Sequence, residues 1–510
     1  MPASASRVAV IDIGSNSIRG VVAEVAADGS HRVIDDERFQ TRLAADLAST
    51  GRIAEDRIAA SLEALATLLA VASSRGVDTV RAVATAAVRS ASNSDEFLSA
   101  ARERLGLDIE IIDGETEGHL AFASAAANFD LPDPACVIDI GGGSLEVVFA
   151  TGGQITHVHS FPLGAVRLLA ELPADENPPS PRALRRLRAR VRASLESELG
   201  TTPPRIATLI GSGGTITSLV GVAAVDRGEI PVSLQGAEIS AAEMSRVLDR
   251  LSGMSSAARA KVPGLAAYRA DTVVPGGVVV TELVRILGAE SLVANQKGLR
   301  EGILLDTIAR LGRDSTPVPL RDVALRFGER CRFDRAHSAH VTAHSLALFD
   351  ALAPGQPLLD TRSRELLEAA AILHDVGYFI GHDKHHRHSW HLIIHAPLTG
   401  LTARELALVA AVARYHRGSL PKPSHEAWTR VTEDDRPLVR LLAGILRVAD
   451  GLDRSQTGQV SAITLEQRND ALIVVAHGEA DLGVELYGAR AKSDLLAVAL
   501  GMPIEVIARR

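Results

Sequence analysis

Two stretches of this chain repeat one pattern of apolar and polar positions. Val10-Ile11-Asp12-Ile13-Gly14-Ser15-Asn16-Ser17 and Val137-Ile138-Asp139-Ile140-Gly141-Gly142-Gly143-Ser144 each run from β-formers through one Asp into a glycine turn and small polar side chains. Apolar residues resume at Ile18, Val21 and Val22 and at Leu145, Val147, Val148 and Phe149, which predicts two β-hairpins. Around the first copy, strand-like runs cover 8–13, 21–25, 32–39, 79–85 and 109–112. Helical patterns cover 57–73 and 95–105, and another begins near Glu115. Strands alternating with helices imply an α/β sheet with helical cover. From Cys136 the plan restarts and runs to a helix over 297–311, with Pro162-Leu163-Gly164, Pro203-Pro204 and Pro275-Gly276-Gly277 marking loops. Residues 312–319 have linker composition, and helical periodicity dominates from Arg321 to about Leu452, with turns at 353–357 and 418–423. From Val460 alternation returns in 462–467, 471–476 and 484–487, before a short helix and a strand over 504–508.

At 510 residues the chain is too long for one domain, and two to four are expected. Hydrophobic residues make up 46% and aromatics only 3%, so the cores are built from Ala, Leu, Val and Ile. A formal net charge of -8 argues against general binding of nucleic acid or membrane, and a polyanionic ligand would need a local basic patch. The basic run 182–192 carries Leu184, Leu187 and Val191 at helical spacing and reads as a solvated helix face. Cys136 and Cys331 each lie in or beside apolar runs and read as buried thiols of a reducing compartment. The polar start shows no signal peptide, and no apolar stretch looks long and clean enough to span a membrane. A cytoplasmic protein is expected.

The twin turns carry the first candidate chemistry. Glycine permits a tight turn and close approach to the backbone, and successive N–H groups beside the Ser15, Ser17 and Ser144 hydroxyls form an anion-binding concavity. Asp12 and Asp139 suit a hard cation such as Mg²⁺. One strand–Asp–Gly turn is a common structural element, whereas two in one chain suggest a duplicated domain closing on a phosphate chain. A third glycine turn, 209–215, lacks the Asp and is weak alone. The second chemistry is a run of histidines: twelve of 17 fall between His337 and His425. A lone histidine on an apolar helix face is usually a satisfied core residue. The ordered set His337, His374, Asp375 and Asp450, each part on a separate helix, can instead converge on a divalent metal such as Zn, Mn, Fe or Mg.

With 11–17, Ala84-Thr85-Ala86-Ala87-Val88-Arg89, 111–119, 138–146 and Gly298-Leu299-Arg300-Glu301-Gly302, the chain resembles the exopolyphosphatase and guanosine pentaphosphate phosphatase family. The resemblance is to its long form, with a helical HD-type domain and a small C-terminal domain. It implies a duplicated actin-like fold of the sugar-kinase and Hsp70 type over 1–127 and 128–312, an all-α domain over 320–458 and an α+β domain over 460–510. It also implies that Gly14, Ser15, Asn16 and Ser17 form one phosphate loop and Gly141, Gly142, Gly143 and Ser144 the other. Arg89, with Arg19, would contact phosphate; Asp139 and Glu146, with Asp12, would hold Mg²⁺; Glu117 would prepare the attacking water. Two departures stand out: Glu115-Thr116-Glu117 replaces two adjacent acidic residues, and Leu145 stands where a threonine is usual. The implied activity is release of terminal orthophosphate from inorganic polyphosphate, or of the 5′-terminal phosphate from guanosine pentaphosphate, by a homodimer. Lys384 and Arg387 are candidates for a basic track serving long chains. Rival readings are a nucleotide phosphohydrolase centred on the helical domain, a polyphosphate or alarmone sensor without turnover, and a kinase or chaperone-like ATPase. Glu117 also has a plainer reading, as an acid favoured by a helix N-terminus.

Overall fold

Both predicted hairpins form in the computed structural model of the chain, which describes residues 6–27, 29–200, 203–229, 233–312, 319–396, 398, 400–468, 470–479 and 481–509. Strands β1 (Ser6–Ile13) and β2 (Ile18–Val25) pair antiparallel with Asp12 opposite Arg19. Strands β6 (Ala135–Ile140) and β7 (Leu145–Thr151) pair likewise with Asp139 opposite Glu146. The same bond closes each turn: Gly14 N–H donates to Ser17 O (3.2 Å) and Gly141 N–H to Ser144 O (3.0 Å).

With β3 (His31–Phe39), β4 (Thr79–Ala84) and β5 (Ile109–Ile111), the first sheet has the order β3-β2-β1-β4-β5. With β8 (Gln154–Phe161), β9 (Thr208–Ser212), β10 (Glu238–Ser240) and β11 (Ser291–Asn295), the second has the order β10-β11-β9-β6-β7-β8. Read from β3 and from β8, the two sheets follow one plan, a three-strand meander whose first strand pairs with a parallel fourth; β10 extends the second sheet. Central strands of such sheets are covered on both faces, which is why β6 is apolar apart from Asp139 and buried at all six positions.

Three expectations about this half need correction. The helix Gly298–Arg310, expected with residues 128–312, packs on the first sheet, where Leu299, Ile303, Leu304 and Ile308 share a core with Val8, Val10 and Val83. Its apolar face, not its place in the chain, decides where it docks. Pro275-Gly276-Gly277 is no loop but the first turn of the buried helix Val273–Leu287. Proline is tolerated there because the first-turn N–H groups need no helical acceptor. The glycines allow close packing: a Cβ on Gly276 would stand 2.4 Å from Thr215 Oγ1. The helix Glu55–Ser74 is long and apolar enough by composition to cross a membrane. Here it covers the first sheet through Leu62, Leu65 and Leu68. The basic run does form a helix, Pro181–Leu199, that buries Leu187, Val191 and Leu195 and leaves Arg182, Arg185 and Arg186 exposed.

The chain divides into two compact units, Met1–Pro317 and Val318–Arg510; of the expected linker, residues 313–318 lie outside the described residues. The second unit is built mainly from the helices Leu320–Arg330, Arg335–Leu352, Thr361–Leu373, His385–Ile394, Ala403–Arg414 and Arg436–Gly451. A small sheet follows, in the order β12 (Ala462–Arg468), β13 (Ala471–His477), β14 (Ile504–Arg509). Leu348, Leu367 and Val448 share one core with Val474, Leu496 and Val506, so residues 460–510 complete the helical core rather than bury a separate one. The alternation at 484–487 misleads. That segment lies in the helix Gly483–Ala491, with Val484 and Tyr487 exposed and Glu485 buried. Four residues are too few to separate period 2 from period 3.6.

Candidate active site

The two glycine turns meet. A Cβ on Gly142 would stand 2.9 Å from Ser15 Cβ, and one on Gly143 would stand 2.6 Å from Ser15 Oγ. Their carbonyls are held from outside: Ala44 N–H donates to Ser15 O, Arg42 N–H to Asn16 O, Ala165 N–H to Gly141 O and Val166 N–H to Gly142 O. Across a trans peptide the C=O and the following N–H point in opposite directions. Anchoring Ser15, Gly141 and Gly142 carbonyls therefore turns the Asn16, Gly142 and Gly143 N–H groups the other way. Among the described residues those three N–H groups donate no hydrogen bond. Both turns line one cavity of about 300 Å³. Free backbone donors around such a cavity form an anion cradle.

Acidic groups sit at the floor. Asp12, at the end of β1, and Asp139, at the end of β6, line the cavity, as does Glu117 from the first turn of the helix Gly114–Ala126. That helix starts where it does because Asp113 caps it, accepting a bond from Thr116 N–H at 2.8 Å. Ser212 Oγ donates to Asp139 Oδ1 (2.6 Å), and Ser160 Oγ donates to Glu146 Oε1 (2.9 Å). Burial pushes Glu117 up to about 8, with Arg89 opposing and Asp139 adding. Burial likewise lifts Asp12 to about 6 against the pull of Arg19 and Arg300. Asp139 is raised by burial, and Glu146 well above the usual range by burial and by the charges of Glu117 and Asp139. Asp12 Oδ1 and Glu146 Oε2 are buried without a hydrogen-bond partner. Carboxylates that raise one another's pKa, with unsatisfied oxygens, fit a hard divalent cation such as Mg²⁺.

The same lining is also basic. Arg19, Arg38, Arg269, Lys297 and Arg300 all line the cavity of a chain whose net charge is -8. Arg19 is lowered to about 10 by burial and by Arg300. Arg300 Nη2 binds Asp36 Oδ2 at 2.8 Å, and Arg38 lies 4.1 Å over the Tyr268 ring. The Arg269 guanidinium occupies the space a side chain on Gly214 would need.

Gly14, Ser15, Asn16, Ser17, Arg19, Gly141, Gly142, Gly143 and Ser144 thus all line one cavity with Asp12, Asp139 and Glu117. Two other candidates stand behind it. Arg89 Nη1 donates to Ile112 O (2.6 Å) and Glu117 Oε2 (3.2 Å), so in this structure it holds the glutamate rather than lining the cavity. Glu146 is fully buried on β7 beside Asp139. Sequence reading missed Arg38, the adjacent pair Tyr268-Arg269, and Lys297 just ahead of the Gly298–Gly302 motif, because none of them carries a spacing that points to phosphate. Arg300 lay inside a quoted motif without a role. The third turn, judged weak alone, supplies Gly213 and Gly214 to the same lining.

In the second unit, His337, His374, Asp375 and Asp450 also come together. His374 Nε2 lies 3.4 Å from Asp375 Oδ2, and His337 Nε2 lies 3.6 Å from both Asp375 Oδ2 and Asp450 Oδ1. His385, His416, Asp453 and Lys492 join them.

Comparison with known proteins agrees with this architecture. Residues 21–311 match the signature of the Ppx/GppA phosphatase family, and residues 321–480 match that of Ppx/GppA phosphatase domain III. The chain belongs to the Ppx/GppA phosphatase family. It is 32% identical over 314 residues to exopolyphosphatase 2 of Mycobacterium tuberculosis, covering 59% of this chain and 98% of that one. It is 28% identical over 477 residues to the guanosine-5′-triphosphate,3′-diphosphate pyrophosphatase of Aeromonas hydrophila, covering 91% of each. The crystal structure of the Aquifex aeolicus Ppx/GppA family member superimposes with a TM-score of 0.52 at 31% identity, covering 60% of this chain and 98% of that one. This Ppx/GppA chain is accordingly a phosphatase, and its second unit carries the family's domain III.

Proposed function

We propose that the chain is an exopolyphosphatase: water attacks the terminal phosphorus of inorganic polyphosphate, the end phosphoanhydride breaks and orthophosphate leaves. The observation that carries this reading is the paired glycine turns, whose anchored carbonyls free N–H groups onto a cavity that also holds Glu117. Hydrolysis of a phosphoanhydride asks mainly for positioning and charge stabilisation, because the transition state is loose. The turns and Arg19 bind the terminal phosphoryl group. Glu117 orients the water and takes its proton, and Arg89 fixes the Glu117 carboxylate. Mg²⁺ held by Asp12 and Asp139, with Glu146 behind them, would neutralise charge gathering on the bridging oxygen.

Five cationic side chains line the cavity, Lys297 and Arg300 of them paired with Glu301 and Asp36. Together they exceed what one terminal phosphoryl needs, which favours a long polyanion, while guanosine pentaphosphate presents the same terminal bond. Orthophosphate release from long-chain polyphosphate and from guanosine pentaphosphate, each with and without Mg²⁺, tests the reading. Mg²⁺-dependent release from polyphosphate is the expected result, and no release from either substrate overturns it. The basic lining has its own consequence. By analogy with nucleic-acid binding, each lost phosphate contact should reduce the slope of log affinity against log salt by about 0.7–0.9. Arg300→Ala should therefore raise the KM for long polyphosphate and flatten its salt dependence by about that amount. An unchanged slope would remove Arg300 from the substrate track.

A further inference from the structure

The histidine cluster of the second unit turns the same ring nitrogen of four imidazoles inward, towards a buried carboxylate oxygen that accepts no hydrogen bond. Four imidazoles present their Nε2 atoms to one another in two pairs: His337 to His374 at 3.3 Å and His385 to His416 at 3.4 Å. Each ring's other nitrogen already faces an acceptor. His374 Nδ1 lies 2.7 Å from Ala371 O, His416 Nδ1 2.7 Å from Ala413 O, His385 Nδ1 3.2 Å from His382 O and His337 Nδ1 2.8 Å from Asp453 Oδ2. In a neutral ring an acceptor at Nδ1 places the proton there and leaves Nε2 a lone pair for a cation, and at His385 the Arg417 guanidinium already lies 3.4 Å from that nitrogen. Two such lone pairs at 3.3 or 3.4 Å are reconciled by a proton on one of them or by a metal ion that both can reach.

Asp375 stands between the two pairs. Its Oδ2 lies 3.6 Å from His337 Nε2 and 3.4 Å from His374 Nε2; its Oδ1 lies 3.1 Å from His385 Nε2 and 3.5 Å from His416 Nε2. Oδ1 is buried and accepts no hydrogen bond of acceptable geometry. Two triads, His337-His374-Asp375 and Asp375-His385-His416, each bring one donor atom per residue within 4.8 Å of the others. Asp450 adds Oδ1 on the His337 side, while its Oδ2 is held by Lys492 from the C-terminal segment. The ligand atoms are therefore sorted into two sets that share one carboxylate.

We propose that the second unit holds a centre of two divalent cations bridged by Asp375. One ion takes His337, His374, Asp375 and Asp450, and the other takes Asp375, His385 and His416. Four imidazoles and two carboxylates without sulfur suit Mn²⁺, Fe²⁺, Co²⁺ or Zn²⁺ better than Ca²⁺. The carboxylates provide the way in: the Asp375 and Asp450 side chains keep 9% and 11% exposure, whereas the rings of His374, His385 and His416 are shut off.

The test is Mn²⁺ loading of the full-length protein. Elemental analysis should show two more ions per chain than in the Asp375→Ala protein, and one more than in His385→Ala-His416→Ala. Electron paramagnetic resonance of the loaded native protein should show exchange coupling between neighbouring Mn²⁺ ions, a readout that needs no variant to fold. Glu117→Gln should keep both ions and the coupled signal, which separates this centre from the cavity of the first unit. Metal content unchanged by Asp375→Ala, or a purely uncoupled Mn²⁺ signal in the native protein, would overturn the proposal.

Discussion

Glu117→Gln should reduce orthophosphate release from polyphosphate by about 10²- to 10⁴-fold, the range that loss of a positioned general base produces. Gln keeps the shape of Glu and can still meet Arg89, so the substrate KM should change little beside kcat. Stability provides the control. Glu117 is pushed up to about 8 by burial, so the folded metal-free protein binds a proton there that the unfolded chain has released above about 4.5. A carboxyl raised in this way favours folding least at high pH, and its cost grows as pH rises from the unfolded value towards the folded one. In metal-free buffer, Glu117→Gln should therefore melt no lower than the native protein at pH 8, with the difference fading below about pH 4.5. A folded Gln variant with near-native kcat would dismiss Glu117 as the base.

Arg89 shows how far a motif can be read without coordinates. Its position in Ala84-Thr85-Ala86-Ala87-Val88-Arg89 marks it as important. Only the 3.2 Å contact to Glu117 Oε2 shows it holding the glutamate in this structure. The hairpins were legible because each is local: four or five β-formers, one Asp, one glycine turn. The anchoring of their carbonyls by Arg42, Ala44, Ala165 and Val166 was not, since those donors look like ordinary loop residues in one dimension. The same limit hid the docking of the helix Gly298–Arg310, which packs Ile303 and Ile308 on the first sheet and brings Gly302 against Leu120 O of the helix Gly114–Ala126. In the second unit, helical spacing and a His-Asp doublet reveal four of the clustered residues. His385 lies among other histidines and His416 stands alone between Tyr415 and Arg417, and only their Nε2 atoms at 3.4 Å single them out.

Gly213→Ala should be the most damaging single-methyl change in the active-site lining, because two independent penalties fall on one atom. Gly213 has φ +102°, a region that a residue with a side chain occupies only under strain, at about 1–3 kcal/mol. Its added Cβ would also stand 2.2 Å from Ile140 O, which is backbone and cannot rotate away. Overpacking of that kind costs about 1–3 kcal/mol. Ile140 joins Asp139 to Gly141, so any relief of the clash moves a floor carboxylate and the second phosphate turn together. A displacement near 1 Å at a reacting centre costs roughly 10²-fold in rate. The expected outcome is a melting temperature lower by roughly 4–24 °C, from about 2–6 kcal/mol at about 2–4 °C per kcal/mol, with kcat reduced by a similar hundredfold. Gly153→Ala is the matched control: φ is +74°, but nothing lies within 4 Å of its added Cβ. It should lower the melting temperature by only the strain share and leave turnover unchanged. If the two variants behave alike, the third turn does not brace the second phosphate loop.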